Sequence, residues 1–116
     1  MQFLALIYGD PDAWSETTPD QREAMLAEYG RFADEAGRQG SLAGGAEIEA
    51  PSAARTVRVR DGKTDVSEGP AVNGKTQLGG YFVLESPSLD EAVALASKIP
   101  GARHGAVEVR PVVERG

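Results

Sequence analysis

The chain has 116 residues, no cysteine, and twelve basic against eighteen acidic side chains, for a net charge of −6. The missing cysteines exclude disulfides and thiolate chemistry. The acidic balance repels phosphate backbones, so nucleic acid is not an expected partner. No apolar run approaches the roughly 18 residues that span a bilayer, so no membrane partner is expected either.

The length fits one domain over 1–116. The opening segment Met1–Tyr8 is apolar but has no basic residue before it and no small-residue cleavage site. It reads as a strand over residues 2–8 rather than a signal peptide, which leaves the cytoplasm as the expected compartment. Phe3, Ala5 and Ile7 point to one side, Leu4, Leu6 and Tyr8 to the other. Gly9-Asp10-Pro11-Asp12 breaks this strand. Thr18, Pro19 and Gln21 then form a capping box with proline at the first helical position. Met25, Leu26, Tyr29, Phe32, Ala33 and Ala36 follow at helical spacing, and Gly40 stops the helix.

Leu42 to Ile48 reads as a weak, glycine-interrupted strand. Arg55 to Arg60 alternates valine with polar residues, Asp61-Gly62 is a hairpin turn signal, and Lys63 to Ser67 returns. A glycine-punctuated loop over 68–77 leads into a strand over 78–85. There Leu78, Phe82 and Leu84 are expected on one face, Tyr81 and Val83 on the other. Ser88 and Glu91 make a second capping box, and Leu89, Ala92, Val93, Ala96 and Ile99 supply the stripe of a second helix ending at Pro100-Gly101. Residues 105–113 form the last strand.

The order β-α-β, hairpin, β-α-β predicts an α+β, ferredoxin-like fold: an antiparallel sheet with both helices on one face. Strands 2–8 and 78–85 are apolar on both faces, and the helices cover one. A second copy is the expected cover for the other, giving a homodimer with sheets packed face to face.

This connectivity brings Tyr8, Asp10, Lys75 and His104 to one edge of the sheet. They are the candidate ligand-binding residues, for a small organic molecule. His104, the only histidine, with Asp10 as orienter, is the candidate catalytic pair, since imidazole titrates near neutral pH. A loop histidine beside Arg103 is also simply solvated, and Lys75 after Asn73-Gly74 reads first as a solvated turn residue. One histidine and scattered carboxylates do not make a metal site, and no nucleotide-binding glycine spacing is present. No cofactor is expected.

Several segments together resemble the YCII-related family in its DGPF branch: Leu6-Ile7-Tyr8-Gly9-Asp10, Gly40-Ser41-Leu42 with Gly44-Gly45, Thr56 to Lys63, Glu68-Gly69-Pro70 to Tyr81, Leu89-Asp90-Glu91-Ala92, and Val107 to Val112. The resemblance implies a ferredoxin-like fold that dimerises into an α/β barrel. It also implies chemistry of lyase or dehydrochlorinase type in some relatives, through a His-Asp pair, and a sensing role in others, which are similar to domains attached to extracytoplasmic-function sigma factors. The family's helix histidine corresponds to Tyr29. The DGPF signature is altered, with Glu68 for its Asp, Ala71 for its Phe, and Asn73 at the acidic position beyond. Two functions follow as expectations: a binding or sensor module with a cleft at the barrel end, or a lyase with His104 as general base.

Overall fold

In a computed structural model the chain is described over residues 1–115. Six strands and four helices follow in the order β1 (Gln2–Gly9), α1 (Pro11–Ser15), α2 (Pro19–Arg38), β2 (Leu42–Glu47), β3 (Arg55–Arg60), β4 (Lys63–Glu68), β5 (Gln77–Glu85), α3 (Leu89–Ala96), α4 (Gly101–His104) and β6 (Ala106–Pro111). The main sheet has the order β2-β5-β1-β6 with every neighbouring pair antiparallel, and β3–β4 form a separate two-stranded sheet. This is the ferredoxin-like α+β arrangement that the element order predicts.

The capping chemistry explains where the helices begin. The Thr18 hydroxyl accepts from the Gln21 amide while the Gln21 side chain accepts from the Thr18 amide. Ser88 accepts from the Glu91 amide at the start of α3. Each cap satisfies amide donors that the first helical turn leaves without partners.

Phe3, Ala5 and Leu84 on the sheet meet Phe32 and Ala36 from α2, Ala92 and Ala96 from α3, and Ile99, to form the core. The helix stripes are narrower than their periodicity suggests. Leu26, Leu89 and Val93 stand 49%, 44% and 49% exposed. The reason is residue size: α3 sits on the sheet through two alanines, which bring its backbone close and leave the flanking positions beyond the contact.

A second difference lies in β5. Its register with β1 slips between Ile7 and Tyr8, so that Tyr8 pairs with Leu78 and Gly79 is the extra residue. Leu78 therefore shares the face of Tyr8, Leu6 and Tyr81, not the expected face of Phe82 and Leu84. Glycine suits position 80, because a Cβ would lie 3.0 Å from the Ala46 carbonyl oxygen, tighter than ordinary contact. Two short helices, α1 and α4, stand where turns are expected.

The face of the sheet away from the helices carries Leu4, Leu6, Tyr8, Tyr81 and Val83, all half-buried, with the hydrogen-bonded pair Arg110–Glu108 beside them. Among the described residues, no element covers that face. The result is a slab, 47 × 47 × 18 Å, with a radius of gyration of 16.1 Å. A compact domain of this length has a radius of gyration of about 13 Å.

Candidate functional site

β1 ends at Gly9, and the chain turns immediately into α1. Asp10 caps that helix, accepting from the Asp12 amide at 2.9 Å. Its other carboxylate oxygen faces the Lys75 ammonium at 3.7 Å. Lys75 sits on a loop held by Gln77, whose amide donates to the carbonyls of Val72 and Gly74. The structure thus brings Asp10 and Lys75 together at the end of β1. Lys75 is largely exposed, so the pair itself contributes no more than about 1 kcal/mol. The lysine presents its charge outward.

Tyr8 lies beside them on the open face, paired with Leu78 on one side and Ala106 on the other. His104 reaches the same end of the sheet as the last residue of α4. It is exposed and, among the described residues, has no hydrogen bond and no ion pair with a carboxylate. Asp10 is engaged with the α1 amide and Lys75, so the pairing that would make His104 an oriented base is not formed.

The concave feature adjoining this corner is a groove of about 360 Å³, open to solvent. Ile48, Ala50, Pro51, Ala54, Pro70 and Leu78 make it apolar, with Glu49 and Gln77 as polar groups at its wall. It joins the open face through Leu78, the cross-strand neighbour of Tyr8. The irregular backbone after β2 forms one wall, including a single 3₁₀ turn at Pro51–Ala53. Pro70, which follows Gly69 in the remnant of the altered signature, forms another. Gly69 takes φ +96°, a conformation that favours glycine. Its amide donates to Ala54, and its carbonyl accepts from the Thr56 hydroxyl. Glu68 points away and makes only a loose 3.8 Å ion pair with Arg55. The part of the signature retained here therefore shapes the groove through backbone geometry and Pro70. Sequence patterning does not show this groove, because residues 48–54 have no periodicity and only the Pro51 and Pro70 kinks hint at a fixed shape.

Tyr29 occupies a different place, on the helix side. It stacks on Phe82 with ring centroids 6.4 Å apart and lies close to Gly101, where an added Cβ would meet its hydroxyl at 2.7 Å. Burial pushes the phenol above its ordinary value of 10.0. The Gly101 backbone opposes that shift, Glu47 adds to it, and Arg103, itself paired with Glu28, lowers it again. Because the folded form holds the phenolic proton more tightly, the associated stability is complete below pH 10 and is lost as pH rises above it. Absorbance titration at alkaline pH is expected to lose a component ionising above 10.0 in Tyr29→Phe, and an unchanged titration would contradict the burial of this hydroxyl.

No group of three or more histidine, aspartate or glutamate side chains among the described residues is placed to hold a metal ion. No helix among them is long and apolar enough to cross a membrane.

A four-stranded antiparallel sheet with helices on one side and a groove at the end of its first strand defines the class. The chain belongs to the YCII-related family, whose domain matches residues 1–115. An uncharacterized protein of Rhizobium meliloti (strain 1021) is 33% identical to it over 117 residues, spanning 97% of this chain and 92% of that protein. Among solved structures, the 5-chloro-2-hydroxyhydroquinone dehydrochlorinase of Burkholderia phenoliruptrix AC1100, in complex with 2,5-dihydroxybenzoquinone, aligns with a TM-score of 0.59 over 99% of this chain and 96% of that one. At 14% identity the likeness is one of fold.

Proposed function

We propose that the chain is a homodimeric module of the cytoplasm that binds a small organic molecule in the groove at the end of β1. The observation that carries this reading is the groove itself. About 360 Å³ of mostly apolar concavity, with a few polar groups at its wall, falls in the range of small-molecule sites. Tyr8 and the Asp10–Lys75 pair stand next to it as hydrogen-bonding and charged groups. The uncovered apolar face of Leu4, Leu6, Tyr81 and Val83 supports the dimer, because contiguous apolar surface of this kind marks an interaction site. The dehydrochlorinase of the same fold holds a dihydroxybenzoquinone, and this makes flat, oxygenated rings the first ligands to try. A lyase with His104 as base has less support, since His104 stands without a carboxylate partner among the described residues.

The test is thermal unfolding with 2,5-dihydroxybenzoquinone and a panel of hydroquinones and small aromatic acids. A true ligand at a hundredfold its Kd stabilises by about 2.7 kcal/mol. The shift is expected to saturate and to disappear in Leu78→Asp. A panel without any saturable shift, or a shift that survives Leu78→Asp, overturns the groove as the site.

A further inference from the structure

The β3–β4 hairpin stands apart from the rest of the fold. Neither strand packs appreciably on another element. Asp61 and Gly62 at its tip both take positive φ, 52° and 76°, which gives a tight turn matched to the twist of the strands. Its two faces differ in character. Cross-strand pairing puts Val57 opposite Val66 and Val59 opposite Thr64 on one face. Thr56, Arg58 and Arg60 lie opposite Ser67, Asp65 and Lys63 on the other. The three valines are 60%, 56% and 59% exposed for Val57, Val59 and Val66. An isolated two-stranded hairpin is marginal in water, and a valine face left wet adds nothing to it. Arg58 and Arg60 lie on the opposite face, while Arg55 shares the valine face at its base, across from Glu68.

We propose that this hairpin is an arm that reaches across to a second copy of the chain and lays its valine face on that copy. The proposal rests on the dimer reading above and extends it. Two observations select a second copy as the occupant. The first is area. Four strands about 4.8 Å apart and about 22 Å long present a flat face of roughly 400 Å², while a stable interface removes about 800 Å² from each partner. The open sheet face alone is too small. The valine face of the arm, about 10 Å by 20 Å, adds roughly 200 Å², and the surface covered in return by the partner's arm adds about as much, which together reach about 800 Å². The second is charge. The arm holds four of the twelve basic residues, Arg55, Arg58, Arg60 and Lys63, against three acidic ones, Asp61, Asp65 and Glu68. It is thus weakly positive, and the remaining chain carries all of the negative excess. Two such bodies repel each other, whereas an arm of one is attracted to the body of the other. Because the arm springs from Ala54 and Gly69, and Ala54 and the adjoining Pro70 line the groove, its docking would also fix that wall in the dimer.

Sedimentation equilibrium on the full chain tests this with three variants. The double variant Val57→Lys/Val66→Lys changes only exposed side chains. The second variant replaces residues 55–68 by Gly-Ser, which the Ala54–Gly69 hydrogen bond of 2.9 Å shows to be short enough to rejoin the ends. Leu6→Lys alters the sheet face alone. The wild type is expected to be a dimer, and both arm variants are expected to weaken it by about 100-fold or more, the double valine variant with unchanged far-UV circular dichroism and the deletion with an unchanged helical signal. If the arm deletion keeps the wild-type dimer constant while Leu6→Lys dissociates it, the arm proposal is overturned and the sheet-to-sheet dimer stands. If the arm variants dissociate and Leu6→Lys does not, the arm stands and the sheet-to-sheet packing fails. A monomeric wild type assigns both apolar faces to a different partner and overturns the two readings together.

Discussion

Phe3→Ala is expected to lower the free energy of unfolding by about 4 kcal/mol, close to the full cost of emptying an aromatic site in a core. Phe3 is 0% exposed. It lies on a central strand between Leu84 and Pro111 and faces both helices. Its neighbours across the core, Ala92, Ala96 and Ala36, are too small to move in and fill the space. A domain of this size has only about 5–15 kcal/mol in reserve. A urea titration should therefore show the midpoint falling sharply at constant slope. A loss under about 1 kcal/mol would mean that the core collapses around the gap, contrary to this packing.

Gly105→Ala is expected to cost about 3 kcal/mol, from overpacking rather than a void. Gly105 joins α4 to β6 with its α-carbon against the end of β1. An alanine Cβ there would lie 2.1 Å from the Tyr8 carbonyl oxygen and 3.1 Å from the Gly9 Cα. Both are backbone atoms, so no side chain can swing aside. The start of β6 must lift from β1, taking its pairing with Tyr8 and disturbing the corner that holds Asp10. The expected readout is a lower melting temperature together with faster amide exchange in residues 105–107. A variant that melts like the wild type would show that the β1–β6 corner is looser than described.

Much of this fold is legible in the sequence because its signals are local. The capping box at Thr18, the single Ser88 cap that stands where a second box is expected, and the Asp61-Gly62 turn each depend on residues within four positions of one another. The two-sided apolar character of β1 also follows from alternation alone. The face of Leu78 is not legible, because it depends on a slip in pairing between strands seventy residues apart, visible beforehand only as a glycine pair open to several uses. The exposure of Leu89 and Val93 depends on how near α3 approaches the sheet, which the alanines of that helix and the strand beneath decide jointly. The meeting of Asp10 and Lys75 follows from strand order, which is why connectivity is enough to place them side by side. The same reasoning delivers His104 to the right end of the sheet. It does not reveal that a short helix, α4, holds the imidazole out in solvent.

The slip at Gly79 bears on how this protein tolerates changes in length. Removing a residue from most of β5 would rotate everything upstream by half a turn about the strand, sending apolar groups into water and polar ones inward. Gly79 is already supernumerary to the ladder. A chain shortened by this one glycine can close the ladder with Leu78 still opposite Tyr8 and the outgoing loop in phase. The strand thus contains one place where a deletion keeps the pairing with β1 in phase, at the loss of the Gly79 carbonyl that accepts the Ile48 amide at 3.0 Å, and it lies directly beside the groove.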